Sequence, residues 1–169
     1  MALPRKLKLF NLFLNGENFV GQVTEVTLPK LSRKMEGYRG GGMNGEVDVD
    51  LGMEKLEMAF TCGGMMREIL LSFGAATHDA ELLRFAGAYQ REDSEEVDAV
   101  EVTVRGRHKE IDMGGAKPGD DTEFKVSSSL SYYKFEMNGE TLIEIDVVNM
   151  IENIGGMDRL AKFRAAIGL

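Results

Sequence analysis

The stretch from Thr27 to Thr61, TLPKLSRKMEGYRGGGMNGEVDVDLGMEKLEMAFT, constrains the fold more than any other. An extended run ends at Pro29, basic residues follow (Lys30, Arg33, Lys34), and a glycine cluster comes next at Gly37, Gly40, Gly41, Gly42 and Gly45. Beyond it Val47, Val49 and Leu51 alternate with Glu46, Asp48 and Asp50, and Leu56, Met58 and Phe60 alternate with Lys55, Glu57 and Thr61. Side chains that repeat at every second residue share one face of a strand. Two such segments joined by Gly52–Glu54 read as a β-hairpin hinged at the glycines. That hairpin carries no catalytic group and suits a chain that lends strands to its neighbours.

The rest of the chain reads mainly as β. Lys8–Leu14 is a strand, Asn15–Gly16 a tight turn, and Phe19–Leu28 a returning strand whose apolar phase slips between Val23 and Val26, the mark of a bulge. Met66, Ile69, Leu70 and Phe73 recur with helical spacing, and Gly74 ends that short helix. Leu82–Tyr89 reads as a strand because Phe85, Gly87 and Tyr89 alternate, and Val100, Val102 and Val104 define another. Along Thr122–Met137 the apolar phase flips, from Phe124, Val126, Leu130 and Tyr132 to Tyr133, Phe135 and Met137. Such a flip marks a bulge or bend in a sheet that curls. Asn138–Gly139 is a strong hairpin signal, and Thr141, Ile143, Ile145 and Val147 form one face of the return strand. Met157, Leu160, Phe163 and Ile167 give a second helix, with Asp158 in its first turn. The expected fold is a single domain over residues 1–169. It is mainly β, a sandwich or barrel, with a protruding β-hairpin arm at about 34–60 and two short α-helices.

The chemistry of the chain excludes more than it offers. At 169 residues and 43% hydrophobic, the chain has enough apolar matter for one core. Its net charge of −8 disfavours binding to nucleic-acid phosphates. No apolar run approaches the roughly 18 residues of a membrane span. The start, MALPRKLKLFNLFLNG, lacks a long apolar stretch and a small-residue cleavage site, so synthesis in a reducing cytoplasm is expected. The one cysteine, Cys62, continues the Leu56–Met58–Phe60 stripe and reads as a buried thiol. No Cys/His spacing suits zinc, no EF-hand surrounds Asp48/Asp50 or Asp120/Asp121, and no Lys-Ser/Thr follows Gly40–Gly42, so neither a metal nor a cofactor is expected. His78 and His108 stand alone, with His108 inside the basic cluster Arg105–Lys109 that would depress its pKa. Ser127 and Ser129 face water or a pore, while Ser128 falls in phase with the apolar residues. Met35, Met43, Met53, Met58, Met65 and Met66 crowd the hairpin and its flanks, where adaptable side chains favour protein contact.

Particular stretches go further. PRKLKLFNLFLNG (Pro4–Gly16), TLPKLSRKMEGYRGGGMNG (Thr27–Gly45), VDLGMEKLEM (Val49–Met58), RFAGAYQRED (Arg84–Asp93), VRGRHKEIDMG (Val104–Gly114), GDDTEFK (Gly119–Lys125) and LIEIDVVNMIENIGGMDRLAKFRAAIGL (Leu142–Leu169) resemble the major tail tube proteins of contractile-tailed, P2-like bacteriophages. The resemblance spans nearly the whole chain; Cys62 and Thr77–Leu83 are not part of the pattern. The resemblance implies a structural protein without enzymatic activity, assembled in the host cytoplasm into the virion tail. Six subunits per ring would give strands to a continuous inner β-barrel, and rings would stack into a tube inside the sheath. Its partners would be further copies of itself, the sheath protein, the baseplate or tip and the tail terminator. The tape-measure protein and then DNA would pass through the lumen unheld, and no membrane would be involved. The resemblance further implies subunit contacts along Lys34–Phe60, with Tyr38, Arg39, Gly40, Gly41, Gly42, Met43, Val47, Val49 and Leu51 as interface residues. Asp48, Asp50, Glu123, Ser127 and Ser129 are lumen candidates. A tube from a capsid-less bacteriocin and a monomeric β-barrel binding protein are the alternative readings.

Overall fold

In the computed structural model, which describes residues 1–169, twelve strands and two short helices follow one another along the chain. They are β1 (Lys6–Leu14), β2 (Glu17–Asn18), β3 (Val23–Thr27), β4 (Arg33–Tyr38), β5 (Val47–Met53), β6 (Leu56–Cys62), α1 (Arg67–Leu71), β7 (Glu81–Gln90), β8 (Val97–Asp112), β9 (Phe124–Met137), β10 (Glu140–Asp146), β11 (Ile151–Ile154), β12 (Met157–Asp158) and α2 (Ala161–Ala166).

The two long strands β8 and β9 organise everything else. They pair from Val100 to Asp112 along β8, yet each changes its other neighbour half-way. β7 covers β8 from Val97 to Gly106 only. Along β9, residues Phe124–Leu130 pair with β6 and Tyr132–Met137 pair with β10. The ladder between β8 and β9 slips where Arg105 and Gly106 face Tyr132 and Leu130, leaving Ser131 unpaired. This is the bulge that the phase flip in β9 announces. The sheet therefore divides into two lobes that share one core. One lobe is β3, β6, the first half of β9 and the second half of β8. The other runs β2–β1–β7–β8–β9–β10–β11–β12.

Gly106 makes the corner possible. A Cβ there would lie 2.1 Å from the Ser129 carbonyl oxygen and 2.9 Å from Leu130 Cα. Leu12, Phe60, Phe85, Val102, Val104, Phe124 and Val126 are all buried in the common core. Cys62 is buried with them, as its place in the stripe implies, and burial pushes its thiol pKa up to about 11. The turns at Asn15–Gly16 and Asn138–Gly139 have positive φ at both positions, as a two-residue hairpin turn requires.

The arm differs from the reading that joins Val47–Leu51 to Leu56–Phe60. β5 pairs with β4, not with β6. β6 lies inside the body, between β3 and β9, with Leu56, Met58 and Phe60 buried. Residues 56–60 therefore belong to the body rather than to the arm. The glycine cluster forms the tip of the hairpin rather than a hinge at its base. The returning strand after Asn15–Gly16 is also shorter than the pattern suggests: only β2 pairs with β1, and Val23–Thr27 crosses to β6, with the expected bulge between Val23 and Glu25. At the C-terminus, pairing with β11 draws Met157 and Asp158 into β12, so the helix starts later, at Ala161. Its apolar residues Phe163 and Ile167 are exposed.

Candidate functional site

The lobe of β3, β6, β9 and β8 has two open borders. β3 pairs only with β6, so its other side has no ladder partner. β8 beyond Gly106 has β9 on one side and nothing on the side that β7 covers in its first half. Residues that face each other across a ladder share a side of the sheet, so one face can be read in rows. Glu57, Ser129 and Arg107 form one row; Thr27, Ala59, Ser127 and Glu110 the next; Glu25, Thr61, Lys125 and Asp112 the third. The opposite face carries Phe60 with Val126, and Met58 with Ser128 and His108, all buried. The sequence KVSSSL produces both faces by simple alternation.

That outer face is polar and small at its centre, and of the cations beside it Lys30 has no ion pair while others are engaged. Lys109 Nζ donates to Glu57 Oε1 at 2.5 Å, and Lys125 Nζ lies 3.2 Å from Glu123 Oε2. Arg107 Nη1 donates to the Ala75 and Ala76 carbonyls at 3.4 Å. Ser127 and Ser129 sit in the middle of this face, and Glu123 stands at its border. Asp48 and Asp50 do not join them. Both lie on the arm, on the face shared with Met35 and Gly37.

The second open surface is the arm. Tyr38 faces Val47 across the ladder, so these two share a side with Val49, while Leu51 follows in phase along β5. The four keep between 42% and 59% of their surface exposed, a large apolar area for so small an element. The tip is ordered by its own bonds. Met43 N donates to the Gly40 carbonyl at 3.2 Å, Arg39 Nε donates to the Met43 carbonyl at 3.1 Å, and Gly40 N lies 3.1 Å from Met43 Sδ. Within the cluster Gly42, with φ +86°, holds the left-handed conformation; Gly41 does not, and a side chain there would meet open space. All nine residues implied as interface, from Tyr38 to Leu51, thus lie on the hairpin or its tip.

Two features escape the sequence reading. The open border of β8 could have been suspected from length, since β8 outruns β7 by six residues, sixteen against ten. The contact between Arg33 and Glu152 has no local signal at all.

Nothing in the lobe resembles a catalytic centre. His108 is buried, with Nδ1 2.8 Å from Ser128 Oγ and Phe60 edge-on at 6.2 Å between ring centroids. Its pKa lies below the ordinary histidine value, as expected, but burial is the cause rather than the basic cluster, and the charge of Glu81 works the other way. No group of three or more His, Cys, Asp or Glu side chains stands close enough to hold a metal. The depressed pKa sets a pH dependence. Between the ordinary value of 6.5 and the folded value, the unfolded chain takes a proton that the folded chain refuses. Stability from this site is therefore complete above pH 6.5 and falls as pH drops below it. The limiting slope is about 1.4 kcal/mol per pH unit. Urea unfolding at stepped pH checks this: His108→Gln should flatten the decline, and an unchanged profile would exclude His108 as its source.

The sequence profile of the family described as phage tail tube protein FII matches residues 4–168. The chain belongs to that family. The tail tube protein of Escherichia phage P2 is 52% identical to it over the full length of both chains. The major tail tube protein of Serratia phage KSP20 is 42% identical, over 89% of this chain and 88% of its own. Among solved structures, a chain of the PVC extracellular contractile injection system, from its sheath/tube terminator in the extended state, shares the fold. Its TM-score is 0.60 at 10% identity, over 79% of this chain and 96% of that one. This phage tail tube protein is accordingly a structural component of the virion tail. No helix in it is long and apolar enough to cross a membrane.

Proposed function

We propose that six copies of this tail tube protein close into a ring through the two open borders of the four-stranded lobe. Stacked rings then form the inner tube of a contractile tail, through which DNA is ejected. The observation that carries this reading is the pair of unpaired borders on one sheet. An exposed strand edge is a liability unless it is covered or the sheet closes on itself. β3, β6, β9 and β8 alternate in direction. Rotation about a ring axis preserves direction along that axis, so β8 of one copy meets β3 of the next antiparallel. Every joint in the resulting cylinder is of one kind, and four strands from each of six copies give about twenty-four.

The polar face then lines the lumen, with Ser127 and Ser129 at its centre. Six copies carry about −48, and Arg107, Lys109 and Lys125 beside that face are already engaged. A tape-measure protein or a nucleic acid passes such a wall without being held by phosphate contacts. The apolar arm makes contacts between subunits and between rings, while the sheath packs outside and the baseplate and terminator close the two ends. The protein has no chemistry of its own to perform. Identity to two phage tail tube proteins favours a DNA-filled virion over a capsid-less particle.

Negative-stain electron microscopy of concentrated protein, alone and with its sheath, tests the reading. Hollow rods with six-fold end views are expected, and a strict monomer under every condition would refute it. Val49→Asp tests the arm separately. Since Val49 is exposed in the single subunit, the unfolding free energy from urea titration should change by less than about 0.5 kcal/mol while rods disappear. Normal rods from that variant would exclude the arm as an interface.

A further inference from the structure

The β4–β5 hairpin shares no ladder with any strand of the body. Its polar tie to the body is Arg33. The register of the hairpin slips between Arg33 and Met35, and Gly52 opposite takes φ +113°. That bulge sets Arg33 beside Asp50. Arg33 Nε donates to Asp50 Oδ2, and Nη1 donates to Glu152 Oε1. Glu152 lies on β11, across from Ile145, with only 6% of its side chain exposed. Asp50 is fixed in turn by the Gly52 amide, which donates to Oδ1 at 2.9 Å. That amide and then Arg33 hold the Asp50 carboxyl below the usual carboxylate range. Next to the bridge, Met53 packs against the core.

The result is a carboxylate–guanidinium–carboxylate bridge with one end buried in the body and the other on the arm. A carboxylate as enclosed as Glu152 needs its counter-ion, so the body retains Arg33. The planar fork of arginine then dictates where Asp50 must lie. We propose that Arg33 is the positioning residue of the arm: by linking Asp50 to Glu152 it sets the angle of the hairpin in the lone subunit. The arm is therefore offered to a neighbour already oriented, instead of being ordered by it. A pre-set element loses less freedom on docking, which speeds and strengthens assembly. Only this consequence for assembly rests on the arm acting as an interface; the angle itself is a property of the monomer.

Distance measurement between spin labels tests the bridge in dilute, monomeric protein. Labels go on Asn44→Cys at the tip and Glu140→Cys on the body; the buried thiol of Cys62 stays unlabelled. Glu152→Gln keeps the side-chain volume and leaves no buried charge unpartnered. It should broaden the tip-to-body distance distribution at least about twofold, with the urea midpoint showing that the body remains folded. Arg33→Lys, which keeps a charge for Glu152 but lacks the fork, should broaden it too. Distributions unchanged in width and centre would overturn the proposal. Should Glu152→Gln fail to fold, Arg33→Lys decides alone by the same criterion. Microscopy of the same samples after concentration reports on assembly. If the unsubstituted protein forms no rods, the tube reading fails while the distances still judge the bridge.

Discussion

Gly106→Ala is expected to cost at least about 3 kcal/mol, a large part of the roughly 5–15 kcal/mol that holds a domain together. The added carbon would meet the backbone of β9, at the Ser129 carbonyl and Leu130 Cα, and neither can turn aside. Either the corner in β8 opens, parting the two lobes, or the ladder with β9 breaks. Gly87→Ala is the comparison. A Cβ there would come as close as 2.7 Å, but to the rings of Tyr89, which is half-buried and can turn, and of Phe85, which can shift by less because it is buried, and not to backbone. A loss nearer 1 kcal/mol is expected for that variant. Urea midpoints of the two proteins decide the matter. Equal losses would mean that the corner at Gly106 is not the constraint described.

Val102→Asp should abolish folding. Val102 is 1% exposed and stands between Phe85 and Phe135 in the ladder. An unpaired carboxylate there costs several kcal/mol, and more if it stays ionised. Val102→Ala, which only leaves a void, should lose about 2 kcal/mol and remain cooperative. The contrast separates charge burial from lost packing. A soluble, cooperatively melting Val102→Asp protein would remove Val102 from the core.

Much of this architecture is legible in the chain because local rules suffice. Asn138–Gly139 needs no context to make a turn. The alternation of Val100, Val102 and Val104 needs only a core to face, and the phase flip before Tyr133 records the bulge directly. The arm defeats the same reasoning for a physical reason. β4, RKMEGY, has no apolar alternation, so it does not look like a strand, and β5 appears to lack any partner but β6. What removes β6 from the hairpin is its pairing with β9, more than sixty residues away, where burial of Leu56, Met58 and Phe60 outweighs the turn-like Gly52–Glu54. The C-terminal helix shows the same competition on a smaller scale. Met157 fits a helical stripe but is claimed by Ile154 across a strand pair. Of the two open surfaces, the apolar face of the arm is written in Val47, Val49 and Leu51. The open borders of β3 and β8 are not, because an unpaired edge is defined by what fails to lie beside it. The bridge from Arg33 to Glu152 joins positions 119 apart and depends on both the bulge and the fold.

The independence of the hairpin from the body's ladders has an evolutionary corollary. Insertions or deletions made in matched pairs near Gly40–Asn44 would lengthen or shorten the arm without shifting the register of a single core strand. Such changes would alter how far the hairpin reaches while leaving every core strand of the body in place.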